Sequence, residues 1–186
     1  MSVADLLRPP PRRDVKGMTD VLTGLRPGDF VDVIMKLDKY GVFNIQGYAY
    51  WSNTVKNFLV GRMVIDSGLK PDKSVLSLAV KAAAPAESGP RSAATSNGNV
   101  ESLQDLADTV VHGDIVRVTF DQKPYGQYII TGTAVQTADK AVVAVGTVFI
   151  AERYDMVNLE VLGSASALGL PVLKPLVWDT DQVVIN

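Results

Sequence analysis

The chain has 186 residues, room for one medium domain or two small ones. Its 47% hydrophobic content is enough for a real core, and a formal net charge of −2 gives no general basic field to draw it to nucleic acid or an anionic membrane. The absence of cysteine excludes disulfides, thiol catalysis and thiolate zinc sites, and leaves the redox compartment open.

The opening MSVADLLRPPPRRD has no apolar signal region, and no apolar run in the chain approaches the length of a transmembrane helix. A soluble protein of cytoplasmic synthesis is expected. Residues 1–17 read as a proline-bearing arm, whose RPPPRR is the one candidate for a local basic patch. A β-rich unit follows at 18–80, and its lead-in, MTDVLTGL, predicts a short helix. Val31, Val33 and Met35 then alternate with Asp32, Ile34 and Lys36, the period of two that gives a strand one apolar and one largely wet face. DKYG is a turn, and the next strand sets Phe43, Ile45, Gly47 and Ala49 on one side. A glycine there predicts a tight bend or bulge of the kind a small barrel needs. FLVGRMVID reads as a third strand, apolar on both faces and hence central, and SVLSLAV as a fourth.

Residues 81–99, KAAAPAESGPRSAATSNGN, are rich in Ala, Ser, Gly and Pro without helix or strand periodicity, and read as a linker. At 100–163 the unit is written again. VESLQDLADTVV predicts a helix with Leu103, Leu106 and Val110 on one face and Asn99 as its N-cap. An offset of 85 residues then aligns 28–65 with 113–150 without a gap, with 12 identities in 38 positions that include four glycines and a Tyr-Gly pair. Val116, Val118 and Phe120 alternate with Arg117, Thr119 and Asp121, and AVVAVGTVFIA and MVNLEVLG supply the third and fourth strands. A unit of this size buries only about 60% of the surface its unfolded chain exposes, so each copy needs the other or a partner subunit. The last stretch, 164–186, is apolar but broken by Pro171 and Pro175, which suits an extended arm with LVWDTDQVVI as a late strand.

Candidate chemistry is sparse. The sole histidine, His112, stands just before the second Gly-Asp pair, where the first copy has Pro27, and reads as a turn residue. DTD at 179–181 lacks the further oxygen ligands and mid-loop glycine of a calcium loop. GSASALG at 163–169 has neither a Walker lysine nor a GxGxxG pattern, and no GxSxG elbow is present. No catalytic, cofactor-binding or metal-ligating residue is nominated, and the expectation is that the chain is not an enzyme.

YAYW at 48–51 is the most suggestive stretch. Tyr48 and Tyr50 share a strand face beside Trp51, and an aromatic strip can stack on bases or sugars. Only Lys56 and Arg62 are basic nearby, and the second copy has Thr133 and Val135 at the matching places. The rings are therefore expected to fill an interface between copies or subunits. On the C-terminal arm, Leu170, Val172, Leu173, Leu176 and Trp178 are candidates for burial on a neighbouring subunit.

The fold these observations imply is all-β: an internal duplication of two small SH3-like or OB-like barrels, or a sandwich, with short helical turns and extended terminal arms. The function expected is structural. The chain would assemble with itself or with other subunits of a large array, a virion of the phage type being the setting such arms suit. The alternative is a β-barrel binding module for nucleic acid or glycan built on Tyr48 and Tyr50. No membrane partner is expected, and the charge disfavours nucleic acid.

Overall fold

The computed structural model describes residues 2–65, 74–82, 91–94, 100–139, 143–150 and 155–176. The expected Asn99 cap, the DTD at 179–181 and Trp178 lie outside the described residues.

The N-terminal arm holds one turn of helix, α1 (Val3–Leu6), closed by a capping box: the Ser2 hydroxyl accepts from the Asp5 N–H and the Asp5 carboxylate accepts from the Ser2 N–H. The Ser2 hydroxyl also donates to that carboxylate at 2.9 Å, and this bond, with the one from the Ser2 N–H, holds the Asp5 carboxyl below its usual range. Helix α2 (Val15–Thr23) begins three residues before the expected lead-in, because the Asp14 side chain caps the Gly17 N–H at 2.9 Å. Five strands follow: β1 (Phe30–Leu37), β2 (Gly41–Ser52), β3 (Asn57–Val60), β4 (Met63–Val64) and β5 (Val75–Val80). Within 81–99, Arg91–Ala94 form a short strand, β6, which the composition did not signal. The second half then runs α3 (Val100–Thr109), β7 (Asp114–Gln122), β8 (Gly126–Gln136), β9 (Val143–Val145), β10 (Val148–Phe149) and β11 (Met156–Ser164).

The protein is mostly β, as the alternation dictated, but the strands do not form two separate barrels. β2 pairs with β8, and through that ladder both halves enter one open antiparallel sheet whose main path is β4-β3-β2-β8-β7-β11-β6. β1 lies on β2 with β5 beyond it, and β9 and β10 extend from β8. The third strands are corrected as well. FLVGRMVID and AVVAVGTVFIA are not central strands but tight hairpins, β3–β4 and β9–β10, each turning at a glycine, Gly61 or Gly146, with φ 58°. That left-handed backbone is open to glycine and costly for other residues.

The central ladder is self-complementary. Phe43 pairs with Gly132, Ile45 with Ile130 and Gly47 with Tyr128, so exchanging residues 85 positions apart maps the register onto itself about the Ile45–Ile130 pair. The glycines expected to bend a barrel serve this seam instead. A Cβ on Gly132 would lie 2.9 Å from Phe43 Cβ, and one on Gly146 would lie 2.8 Å from the Phe43 ring. In mirror fashion, a Cβ on Gly47 would lie 2.8 Å from Tyr128 Cβ, and one on Gly61 would lie 2.7 Å from the Tyr128 ring. Each half thus lays one aromatic ring on two glycines of the other, an interlock that fills the space missing side chains leave.

One hydrophobic core spans the seam, joining Val31, Val33, Met35, Phe43 and Ile45 to Val116, Val118, Phe120, Tyr128 and Ile130, with α2 and α3 supplying Met18 and Leu103. The opposite face, expected to be wet, is dry at its centre: Asp32, Asn44, Thr131 and Glu160 are buried. Most of their polarity is answered locally, although Asn44 Oδ1 meets no hydrogen-bond partner among the described residues. Asn44 donates to Asp32 and to the Val33 carbonyl, Lys81 Nζ sits 2.9 Å from the Asp32 carboxylate, and Arg117 pairs with Glu160 at 2.9 Å. Buried polar groups are tolerated when they meet such partners.

Candidate interaction surface

The most developed surface feature is the seat of the C-terminal arm at the tail of β8. Beyond Ala134, β8 has β9 on one side only, and its other edge is met by the arm. Leu176 N–H donates to the Gln136 carbonyl at 2.9 Å, and Leu176 makes a parallel bridge with Thr137. Leu176 is buried with Val135 and Ala144, while Leu173 and Tyr40 pack against the same cluster. Leu173 also rests on the glycine of the DKYG turn, its Cδ1 standing 2.9 Å from where a Cβ of Gly41 would be. Further back, Leu170 is buried with Leu7, Ile115 and Ala165, so the N-terminal arm and the C-terminal arm meet on β7. Within GSASALG the Ala167 N–H donates to Ser164 Oγ, the Leu168 N–H to the Ser164 carbonyl and the Gly169 N–H to the Ser166 carbonyl, while the Ala165 N–H reaches the Gly113 carbonyl.

His112, expected to be an ordinary turn residue, fastens this seat. Its Nδ1 accepts from the Gln136 N–H at 3.0 Å, which leaves the proton of the neutral ring on Nε2, and Nε2 donates to the Leu173 carbonyl at 2.5 Å. The His112 N–H donates in turn to Gln136 Oε1 at 3.2 Å. A signal for this clamp was present in the sequence. His112 and Gln136 stand where the first half has Pro27 and Trp51, and such differences between otherwise matching stretches mark where the two halves meet different neighbours.

The arm candidates therefore separate. Leu170, Leu173 and Leu176 are used within the chain, and Val172 between them is 71% exposed. The aromatic candidates separate too. Tyr50 is half-buried, its ring edge-on to Tyr125 of the second half at 5.5 Å. Tyr48 is exposed beside Phe30, and Trp51, 41% exposed, stands edge-on to Phe58 with its indole N–H donating to Asn53 Oδ1. Only Tyr48 of the expected strip offers an open ring on that face.

A cavity of about 70 Å³ sits at the seam, lined by Ile45, Ile130, Val60, Tyr128, Arg62 and Thr147 among others, far below the roughly 300 Å³ at which small-molecule sites begin. Among the described residues no three His, Asp or Glu side chains gather where a metal ion could be held, and no helix is long and apolar enough to cross a membrane. Compared with protein-family models, with curated proteins and with solved structures, the chain matches none.

Proposed function

We propose that this chain is a duplicated β protein with a structural, non-enzymatic role, and that it works by assembling with copies of itself or with other subunits of a large array. A virus- or phage-type particle is the setting that suits it. The observation that carries this reading is the seated arm: an extended, proline-broken segment completes a sheet edge by a backbone bond and buried leucines, the mode by which β proteins add strands from neighbours. Duplication is supported by the common offset. Gly28 and Gly113 share φ 93° and 92°, Gly41 and Gly126 share 68° and 73°, and the register shift of β1 against β5 at Ile34–Met35 has its match in β7 against β11 at Thr119–Phe120. The register about Ile45 and Ile130 has the isologous form of a twofold homodimer interface, now held within one chain.

Light scattering after size exclusion, run on the full chain across a range of concentrations, tests the assembly reading. Species larger than the monomer that grow with concentration are expected. A monodisperse monomer at the highest concentration, joining no larger particle, would remove it.

A further inference from the structure

The seat of the arm has a counterpart in the first half. Position for position, Val135, Gln136 and Thr137 correspond to Tyr50, Trp51 and Ser52, Ala144 to Leu59, and the Tyr40-Gly41 turn to Tyr125-Gly126. Tyr125 approaches Tyr50 there as Tyr40 approaches Val135 in the second half. Among the described residues the counterpart edge is bare. β1 pairs with β2 only as far as Tyr48, Ala49 exchanges bonds with Gly28 and Asp29, and among the described residues no segment pairs with that side of Tyr50–Ser52. Where Leu173 presses on Gly41, a Cβ at Gly126 would meet nothing within 4 Å. Among the described residues nothing fills the leucine seat, and Trp51 beside it is exposed.

We propose that this edge of β2 takes residues 177–186 of a second copy as an added strand, a head-to-tail contact that deepens and rests on the assembly reading. The occupied seat shows what such an edge accepts: extended backbone running parallel to the strand, carrying apolar side chains. Residues 177–186, VWDTDQVVIN, continue directly from the seated Leu176 and carry Val177, Trp178, Val183, Val184 and Ile185 for that role. The geometry favours a second copy over the chain itself. Leu176 runs parallel to β8, and β8 runs antiparallel to β2, so the arm at Leu176 heads away from the Tyr50–Ser52 end of its own β2.

Two full-length variants test the contact. Trp51→Glu puts a charge at the edge and leaves the tail intact, whereas a Trp178→Asp, Val184→Asp double variant spoils the tail and leaves the edge intact. Each alone is expected to need roughly 30-fold more protein for half-association than the parent chain, the size of effect that follows losing an aromatic anchor. Mixed in equal amounts, the two should give a heterodimer that grows no further, because one intact edge and one intact tail remain. A synthetic peptide of residues 177–186 added to the parent chain should block assembly, and this readout does not depend on any variant folding. Variants that associate like the parent, a mixture that stays monomeric, or a peptide without effect would each overturn the proposal while leaving assembly through another surface standing. A parent chain that is itself monomeric would remove both.

Discussion

At the tail of β8, Val135 and Ala144 are small, and the space beside them is filled by Leu173 and Leu176 of the arm. At the tail of β2 the same positions hold Tyr50 and Leu59, and the Tyr50 ring leans on Tyr125. Larger side chains thus do in the first half part of what the arm does in the second. They replace the apolar contact, but they cannot replace the backbone bond, because an unpaired strand edge is satisfied only by another strand or by water. Two places built alike can therefore share a core and differ in what their edges still accept.

Several substitutions would break or sharpen this contrast. The largest effect is expected at the buried charges. Glu160 has a side chain 3% exposed and pairs with Arg117, whereas the ion pair of the first half joins Asp32, at the position matching Arg117, to Lys81, which is 40% exposed. Glu160→Ala should cost about 3–5 kcal/mol, because it removes the buried carboxylate that answers the Arg117 charge. Lys81→Ala should cost about 1 kcal/mol, because the ammonium is partly solvated and Asn44 and Gln46 still donate to the Asp32 carboxylate. Denaturant midpoints measured on both variants would settle the contrast, and equal losses would contradict it.

The seam predicts equality where the tails predict difference. Gly47→Ala and Gly132→Ala each drive a Cβ into the aromatic residue of the other half and should each cost about 1–3 kcal/mol by overpacking. A loss at one glycine with none at the other would argue against the twofold arrangement.

Smaller effects are expected at the arm. His112→Ala removes the bonds to Gln136 N–H and the Leu173 carbonyl and should lower stability by about 1–2 kcal/mol. The more telling readout is hydrogen exchange, in which the Leu176 amide should lose protection while the amides of the β2–β8 ladder keep theirs. Last, Val172→Ser, at a residue 71% exposed between buried leucines, should change stability by no more than about 0.5 kcal/mol.

Much of this architecture was legible because it is local. Alternation over Val31–Met35 and Val116–Phe120 gave β1 and β7, the YG turns gave the hairpins, and SVLSLAV and MVNLEVLG gave β5 and β11 nearly to the residue. What was not legible depends on contacts distant in sequence. Gly47 read as a bend because a glycine within a strand usually lacks a packing reason of its own; here the reason is Tyr128, 81 positions away on the partner strand. Asp32 and Arg117 read as wet-face residues because their partners, Asn44 and Glu160, lie on other strands. The hairpins β3–β4 and β9–β10 read as continuous strands because apolar residues flank Gly61 and Gly146 on both sides, and periodicity does not report the sign of φ. At the candidate surface, the arm leucines were recognised as apolar contacts, but that three of them serve their own chain depends on His112, whose partners are a glutamine and a carbonyl far along the chain.

The self-complementary ladder has a consequence for how the chain is made. The residues of β2 that pair with β8, Phe43–Gly47, leave the ribosome 85 positions before the matching residues Tyr128–Gly132. At roughly 5–20 residues per second, that interval lasts about 4–17 s. Throughout it the first half presents an unfinished strand whose best complement is a sequence like itself. A neighbouring nascent chain on the same message carries that sequence, with Phe43 and Gly47 placed to interlock as Tyr128 and Gly132 later do. Synthesis order thus sets a race between pairing within one chain and pairing between two, and widely spaced ribosomes or a chaperone that shields the β2 edge would tip it toward the monomeric fold.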